Sequence, residues 1–418
     1  MKKRYLSLGL AAVMALSLTA CGGSGSSSDS AADSSSTEAP ADAEEESGEA
    51  GEAEDTAENE GGEATDGAVF KIGAIGPETG SAAQYGMAVR NGAELAVKEI
   101  NEAGGINGYQ VEYQFQDDEN DTEKAVSAYN TLKDWGMQML VGTTTSQPCI
   151  AVVAETSIDN MFQITPSGSA VESISEPNAF RVCFSDPDQG RASAQYIGEH
   201  ELATKVGVIY DSSTDYSTGI YESFEEEAAN QGIEIVADGA FTADTNTDFT
   251  VQLTQCRDAG AELVFLPIYY SEASTILKQA SDMGYEPQFF GCDGMDGILT
   301  VENFDTSLAE GLMLLTPFSA DEEGSQDFVA AYSEAYGIEP IQFAADAYDA
   351  VYAIKAAAEQ GGVTPDMSVS DICEALKVAM TEITIDGLTG EGMTWTEDGE
   401  PHKEPKAVMI VDGAYQMQ

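Results

Sequence analysis

Histidine is nearly absent from this chain. Only His200 and His402 occur in 418 residues, and they fall in separate regions. That leaves a histidine-based acid–base site or metal cluster without its usual parts. No GxSxG elbow, no phosphate-cradling P-loop and no GxGxxG following a strand is present. Basic residues are scarce as well: 17 Lys and Arg stand against 74 Asp and Glu, a formal charge of −57. A surface this acidic repels nucleic-acid phosphates. Six cysteines are scattered with no CxxC pair, so metal-site spacing is missing. After residue 20, no apolar run is long enough to span a bilayer.

The first 67 residues read as two segments. Lys2, Lys3 and Arg4 precede an apolar run from Tyr5 to Ala20, the pattern of a secretory signal. It ends in Leu18-Thr19-Ala20-Cys21-Gly22. That tetrapeptide and its glycine resemble a bacterial lipobox, which implies cleavage before Cys21 and a lipid on its thiol. A lipid chain would anchor the protein without spanning the membrane. Residues 22–67 hold fifteen acids, no Lys or Arg and no aromatics. They cannot bury enough apolar surface to fold and read as a charge-extended, disordered tether. Residues 68–418 hold 59 acids against 14 basic residues, a net −45, and are long enough for two lobes.

The body is organised around the stretch from Lys71 to Asp118. A short apolar strand, Val69 to Ile75, closes at Gly76-Pro77. A helix follows, with Val89, Ala93, Ala96, Val97 and Ile100 on one face and Gly104-Gly105 beyond its end. Val111, Tyr113 and Phe115 then alternate as a second strand. A strand–helix–strand unit predicts a parallel sheet with a right-handed crossover. The alternation continues through strands at Met137–Val141 and Met161–Ile164. It restarts at Phe180, with strands predicted at Phe180–Phe184, Val206–Tyr210, Glu234–Ala240, Leu263–Pro267, Gln288–Phe290 and Gly311–Leu315. Helices are predicted over Gly190–Glu201, Tyr216–Asn230, Phe249–Asp258, Ser271–Met283 and near Met295. The fold class is α/β, in two Rossmann-like lobes with parallel sheets.

In open parallel sheets, ligands bind beyond the carboxyl ends of the strands. The first lobe places Tyr85, Ser146, Ser167 and Ser169 there. The second places Tyr216, Tyr269 and Asp293. Hydroxyls and helix-start N–H groups suit a carboxylate. One buried acid suits an ammonium. Tyrosines give an apolar wall with polar tips. Together these describe a site for a small zwitterion such as an amino acid. Each residue also fits a plainer part: Ser146 a helix cap, Ser167 and Ser169 turn positions, Tyr216 and Tyr269 core aromatics, Asp293 a turn before Gly294. Asp117, Asp118 and Asp121 follow a strand and fit either a cation site or a solvated helix start, which the helix dipole favours.

The run ETGSAAQYGMAVRNGAELAVKEINEAGGINGYQVEY resembles the amino-terminal signature of branched-chain amino acid binding proteins, within the periplasmic binding protein family. VGTTTSQP, ITPSGSA, IYDSSTDYSTG, FLPIYYSEASTILKQA and FFGCDG have counterparts in the same order, over roughly Val69 to Val411. The resemblance implies two lobes joined by three crossovers. Residues 68–184 plus 319–387 would form the first, and residues 185–318 plus 388–418 the second. Ser146 would hold the ligand carboxylate, with Ser167 and Ser169 adding contacts. Tyr85 would lie beside the ligand side chain, with Tyr216 and Tyr269 opposite. Asp293 stands where the family usually has glutamate. The cysteine pair of that group is not matched. The implied function is an exported, lipid-anchored receptor on the outer face of a bacterial cytoplasmic membrane. It would be a monomer that delivers a neutral amino acid to ABC permease subunits, with no cofactor, no metal and no catalysis. The alternative is a sensing module of the same fold that binds an amide, peptide or aromatic acid.

Overall fold

A computed structural model describes residues 67–418, and the signal segment, Cys21 and the tether lie outside these. The first sheet follows the predicted alternation. Strand β1 (Phe70–Gly76) leads into helix α1 (Ala83–Glu102), then β2 (Val111–Asp117) and α2 (Thr122–Trp135). β3 (Met139–Val141), α3 (Ser146–Asp159), β4 (Phe162–Thr165) and β5 (Ala179–Arg181) complete the series. The sheet order is β2-β1-β3-β4-β5, and every pairing is parallel. Val89, Ala93, Ala96, Val97 and Ile100 of α1 are all buried, as their spacing predicts. Burying a side chain such as Val89 or Ile100 contributes about 1.5–3 kcal/mol.

The chain then enters a second sheet. Helix α4 (Asp186–Glu199) precedes β6 (Lys205–Asp211), α5 (Asp215–Ala228), β7 (Glu234–Phe241), α6 (Thr250–Ala259), β8 (Leu263–Leu266), α7 (Tyr270–Asp282), β9 (Gln288–Gly291) and β10 (Met313–Thr316). It returns to the first layer as α8 (Gln326–Tyr336), α9 (Gln342–Gln360) and α10 (Val369–Met380). Helices α8 and α9 pack along α1, and α10 packs on α9 and β4. A Cβ on Gly92 of α1 would lie 2.0 Å from the Ala344 carbonyl oxygen of α9, so glycine is what lets these two helices meet closely.

A small hairpin follows, β11 (Thr394–Trp395) with β12 (Pro401–His402). It leans on β5: Trp395 Nε1 donates to the Arg181 carbonyl at 2.7 Å. Strands β13 (Lys406–Val411) and β14 (Ala414–Met417) add an antiparallel edge to the second sheet, whose order is β14-β13-β10-β9-β8-β6-β7. The chain therefore crosses between layers three times, after β5, after β10 and before β13.

Two expectations need correction. No helix forms near Met295; the segment is a single 3₁₀ turn, Asp293–Met295, followed by another at Ile298–Thr300. Gly297 between them, at φ 101°, breaks any continuous helix. Helix α4 starts at Asp186 rather than Gly190, because Ser185 accepts a hydrogen bond from the Asp188 N–H and caps it.

Candidate functional site

The first-lobe wall is built from two loops locked together. Thr165 Oγ1 donates to the Thr143 carbonyl at 2.7 Å and accepts from the Gly168 N–H at 2.7 Å. Ser167 Oγ donates to the Thr144 carbonyl at 2.6 Å. Ser146 is the first residue of α3 and does not cap it; its Oγ accepts from the Ala170 N–H at 3.1 Å. Below them lies Arg181, fully buried, which donates to the carbonyls of Ser169 and Ala170. Ser169 Oγ is buried with no partner.

The second-lobe wall carries the charge. Asp293 is buried, and its Oδ1 accepts from Tyr216 Oη at 2.7 Å. Burial pushes its carboxyl up to about 6, against the lowering effect of the Tyr216 and Gly294 hydrogen bonds. Tyr216 Oη also accepts from the Gly294 N–H at 3.0 Å. A Cβ at Gly294 would sit 2.5 Å from that hydroxyl, which explains a glycine after the acid.

Aromatic rings close the site. Tyr85 meets Tyr269 edge-on at 5.3 Å and Tyr270 at 4.9 Å, and stacks on Phe343 at 4.1 Å. Tyr216 lies 4.9 Å from Tyr269. Burial raises the hydroxyls of Tyr85, Tyr216 and Tyr269 well above the ordinary tyrosine value, so all three are neutral donors. A cavity of about 370 Å³ opens beside Tyr216 and Tyr269, lined also by Ser81, Asn120, Gln147 and Glu272; Tyr85, Ser146, Ser167, Ser169 and Asp293 do not line it.

The structure thus gathers Tyr85, Tyr216, Tyr269 and Asp293 into one contact network, while Ser146, Ser167 and Ser169 form a separate set on the first-lobe loops. Asp186 links the two groups. Its N–H donates to the Ser169 carbonyl at 2.9 Å. Burial holds its carboxyl well above the usual range, and the nearby Ser169 hydroxyl, not hydrogen-bonded to it, offsets this only in part. Neither carboxylate oxygen has a partner. Gln189, one turn on, accepts from the Asp293 N–H at 3.2 Å.

The sequence reading missed Asp186 and Gln189, together with Phe343 and Gln342 of α9. Starting α4 at Gly190 placed Asp186 in a loop. The Ser185-Asp186-Pro187 start, directly after a strand, was the available signal.

Of the three acids at the end of β2 and just after it, Asp121 caps α2 by accepting from the Glu123 and Lys124 N–H groups at 3.0 Å each. Asp117 holds the Glu78 and Glu119 N–H groups. Among the described residues no group of three His, Cys, Asp or Glu is placed to hold a metal ion. Cys149, Cys183, Cys256, Cys292 and Cys373 are all buried and free. His200 ends α4 and stacks on Tyr196. Among the described residues no helix is long and apolar enough to cross a membrane.

Residues 69–414 match the family model of the periplasmic binding proteins. The chain is 30% identical over 298 residues to a Leu/Ile/Val-binding protein homologue of Brucella melitensis, covering 71% of this chain and 80% of that one. It is 28% identical over 313 residues to the leucine-, isoleucine-, valine-, threonine- and alanine-binding protein of Pseudomonas aeruginosa, covering 73% and 82%. Among solved structures, LivJ of Streptococcus pneumoniae, a branched-chain amino acid transporter substrate-binding protein in complex with isoleucine, superposes with a TM-score of 0.76. It is 31% identical over 83% of this chain and 98% of that one. The leucine-binding protein LivK of Thermotoga maritima gives 0.74 at 25% identity, over 84% and 98%. On the family match and on the two-lobed architecture, the chain belongs to the periplasmic binding protein family.

Proposed function

We propose that this protein captures a small neutral amino acid, branched-chain or similar, between its two lobes and delivers it to the permease of an ABC importer. One observation carries the reading: a buried acid, Asp293, on the second lobe is held by Tyr216, and its loop is joined to the hydroxyl-rich loops of the first lobe through α4, where Gln189 accepts from the Asp293 N–H and the Asp186 N–H donates to the Ser169 carbonyl. A zwitterion places its ammonium at the acid and its carboxylate at Ser146 and the α3 N-terminus. Ser167 and Ser169 flank the carboxylate, and Tyr85, Tyr216 and Tyr269 enclose the side chain. The relatives named for leucine, isoleucine and valine support this ligand class.

The remaining parts follow from the same reading. The lobes divide into residues 68–184 with 319–387 and residues 185–318 with 388–418, closing by hinge motion at the three crossings. The protein is exported, and a lipid on Cys21 holds it at the membrane while residues 22–67 act as a tether. It works as a monomer and is not an enzyme.

The test is a thermal-shift screen over the twenty amino acids, followed by calorimetry on the best ligand. A melting shift with leucine, isoleucine or valine is expected. No shift with any amino acid, but one with an amide, peptide or aromatic acid, would transfer the site to the sensing-module reading. For Asp293→Asn, binding should weaken at least about a hundredfold, because the ligand ammonium would be buried without its counter-charge. Unchanged affinity would remove Asp293 from that role.

A further inference from the structure

The loop that carries Asp293 is gripped from the other lobe through its backbone and through a second acid, Asp296. Helix α9 belongs with the first sheet, packing along α1. Its first residue, Gln342, is buried and makes three hydrogen bonds away from its own helix. The Gln342 N–H donates to Asp296 Oδ2 at 2.7 Å. Its Nε2 donates to the Asp293 carbonyl at 2.9 Å. Its Oε1 accepts from Thr316 Oγ1 at 2.8 Å, at the second crossing. Ile341, which precedes it, provides no side-chain cap. An acid from the second sheet's loop therefore caps a helix of the first, a job normally done by the residue before the helix.

The neighbouring contacts point the same way. Tyr85 Oη donates to the Gly294 carbonyl, so two successive carbonyls, of Asp293 and Gly294, are held by first-lobe side chains. On its far side the loop is backed by its own lobe, where the Gly297 N–H donates to Tyr415 Oη of β14 at 3.2 Å. The Asp293 carboxylate is thus held by Tyr216 of its own lobe while the peptide groups beside it are held by the opposite lobe. One short segment reads ligand charge and lobe position together.

We propose that Asp296 and Gln342 are positioning residues that form a closure latch: their bonds across the lobes hold the Asp293 loop against α9 once ligand is bound, and slow ligand release. The proposal rests on the amino-acid reading above. Bonds that form only after closure act on the dissociation rate and leave the association rate alone.

The experiment uses the whole exported chain, with L-isoleucine as probe and stopped-flow fluorescence as readout. Asp296→Ala and Gln342→Ala should each speed dissociation at least about tenfold and change association less than about twofold. The ligand-free Tm should stay within about 2 °C of the parent. Asp296→Asn keeps an acceptor oxygen for the α9 cap and should return dissociation to within about threefold. Unaltered dissociation would overturn the latch. So would a ligand-free Tm that falls as far as that of the complex, since the contact would then be ordinary packing. Should Asp296→Ala fail to fold, Gln342→Ala carries the test alone.

If the parent binds no amino acid, the amino-acid reading fails and the latch is judged separately, by amide exchange in the ligand-free chain. The Gln342 amide should then exchange at least about tenfold faster than the Asp346 amide one turn on. Equal protection would mean that the cap persists without closure, and would end the proposal.

Discussion

On the first lobe, Ser146, Ser167 and Thr165 are engaged inside the lobe, and Ser169 Oγ is the member of that set without a partner. Ser146 accepts from Ala170, Ser167 donates to Thr144, and Thr165 ties the two loops together. On the second lobe the reverse holds. Asp186 is buried with both oxygens unpaired, and Gln189 Nε2 has no partner. A buried polar group without a partner costs about 1–3 kcal/mol, and more when charged. The first wall is therefore a finished surface that a carboxylate can approach. The second is an unfinished one that a cation completes. On the proposed reading the second wall gains most from ligand, so the ammonium end should dominate binding and the carboxylate end should set orientation.

The largest test of that asymmetry is the at least hundredfold loss expected for Asp293→Asn. Next comes Asp186→Asn, which splits the two states. The ligand-free protein should gain about 2 °C or more in Tm at pH 7.5, since an amide is easier to bury than a carboxyl held above its normal range. Affinity should fall about tenfold, because the field favouring an ammonium is weaker. A Tm that drops instead would make Asp186 a structural acid with a partner of its own.

Acidity probes the same wall without mutation. Burial raises Asp293 to about 6 and Asp346 to about 8, both above the ordinary 3.8. For an acid raised on folding, the folded chain holds protons that the unfolded chain has lost. Stability is then full below about pH 4 and falls as pH rises through 6 and 8. Ligand binding runs the other way, since an ammonium needs Asp293 ionised. Below about pH 6 affinity should fall roughly tenfold per unit. Melting curves at pH 5 and 8 should thus show a more stable free protein at pH 5 and a larger ligand-induced shift at pH 8. Shifts of equal size at both values would mean that Asp293 does not pair with the ligand.

Much of this architecture is legible in the sequence, for reasons that can be named. The apolar face of α1 has a clean helical period, β1, β3 and β4 are short apolar runs, and β2 alternates. Strand ends then point to candidate loops by topology alone, which is how Tyr85, Ser146 and Asp293 come to be proposed as site residues. What could not be read lies in long-range juxtaposition. Gln342 sits 46 residues from Asp296 and on another layer, and nothing local to α9 announces a cap delivered from elsewhere. The 293–300 segment misleads because Met295 and Ile298 have helical spacing, yet Gly297 at φ 101° divides it into two turns. Phe343 reads as core and is core, but Tyr85 stacks on it at the edge of the site.

The first wall should give the smallest effects, and a pair of serines shows why. Ser146 Oγ accepts from an N–H, which leaves its own proton free for a ligand carboxylate. Ser167 Oγ donates that proton to the Thr144 carbonyl and offers a ligand only a lone pair, which repels a carboxylate. A neutral hydrogen bond contributes about 1 kcal/mol net, and one to a charged group about 1.5–3. Ser146→Ala should therefore weaken binding about tenfold or somewhat more. Ser167→Ala should change affinity less than about threefold while lowering Tm, because the Thr144 carbonyl then loses its donor. Calorimetry and melting curves on both variants separate these outcomes. If Ser167→Ala weakens binding as much as Ser146→Ala, its hydroxyl has turned from Thr144 to the ligand, and the first wall is no more finished than the second.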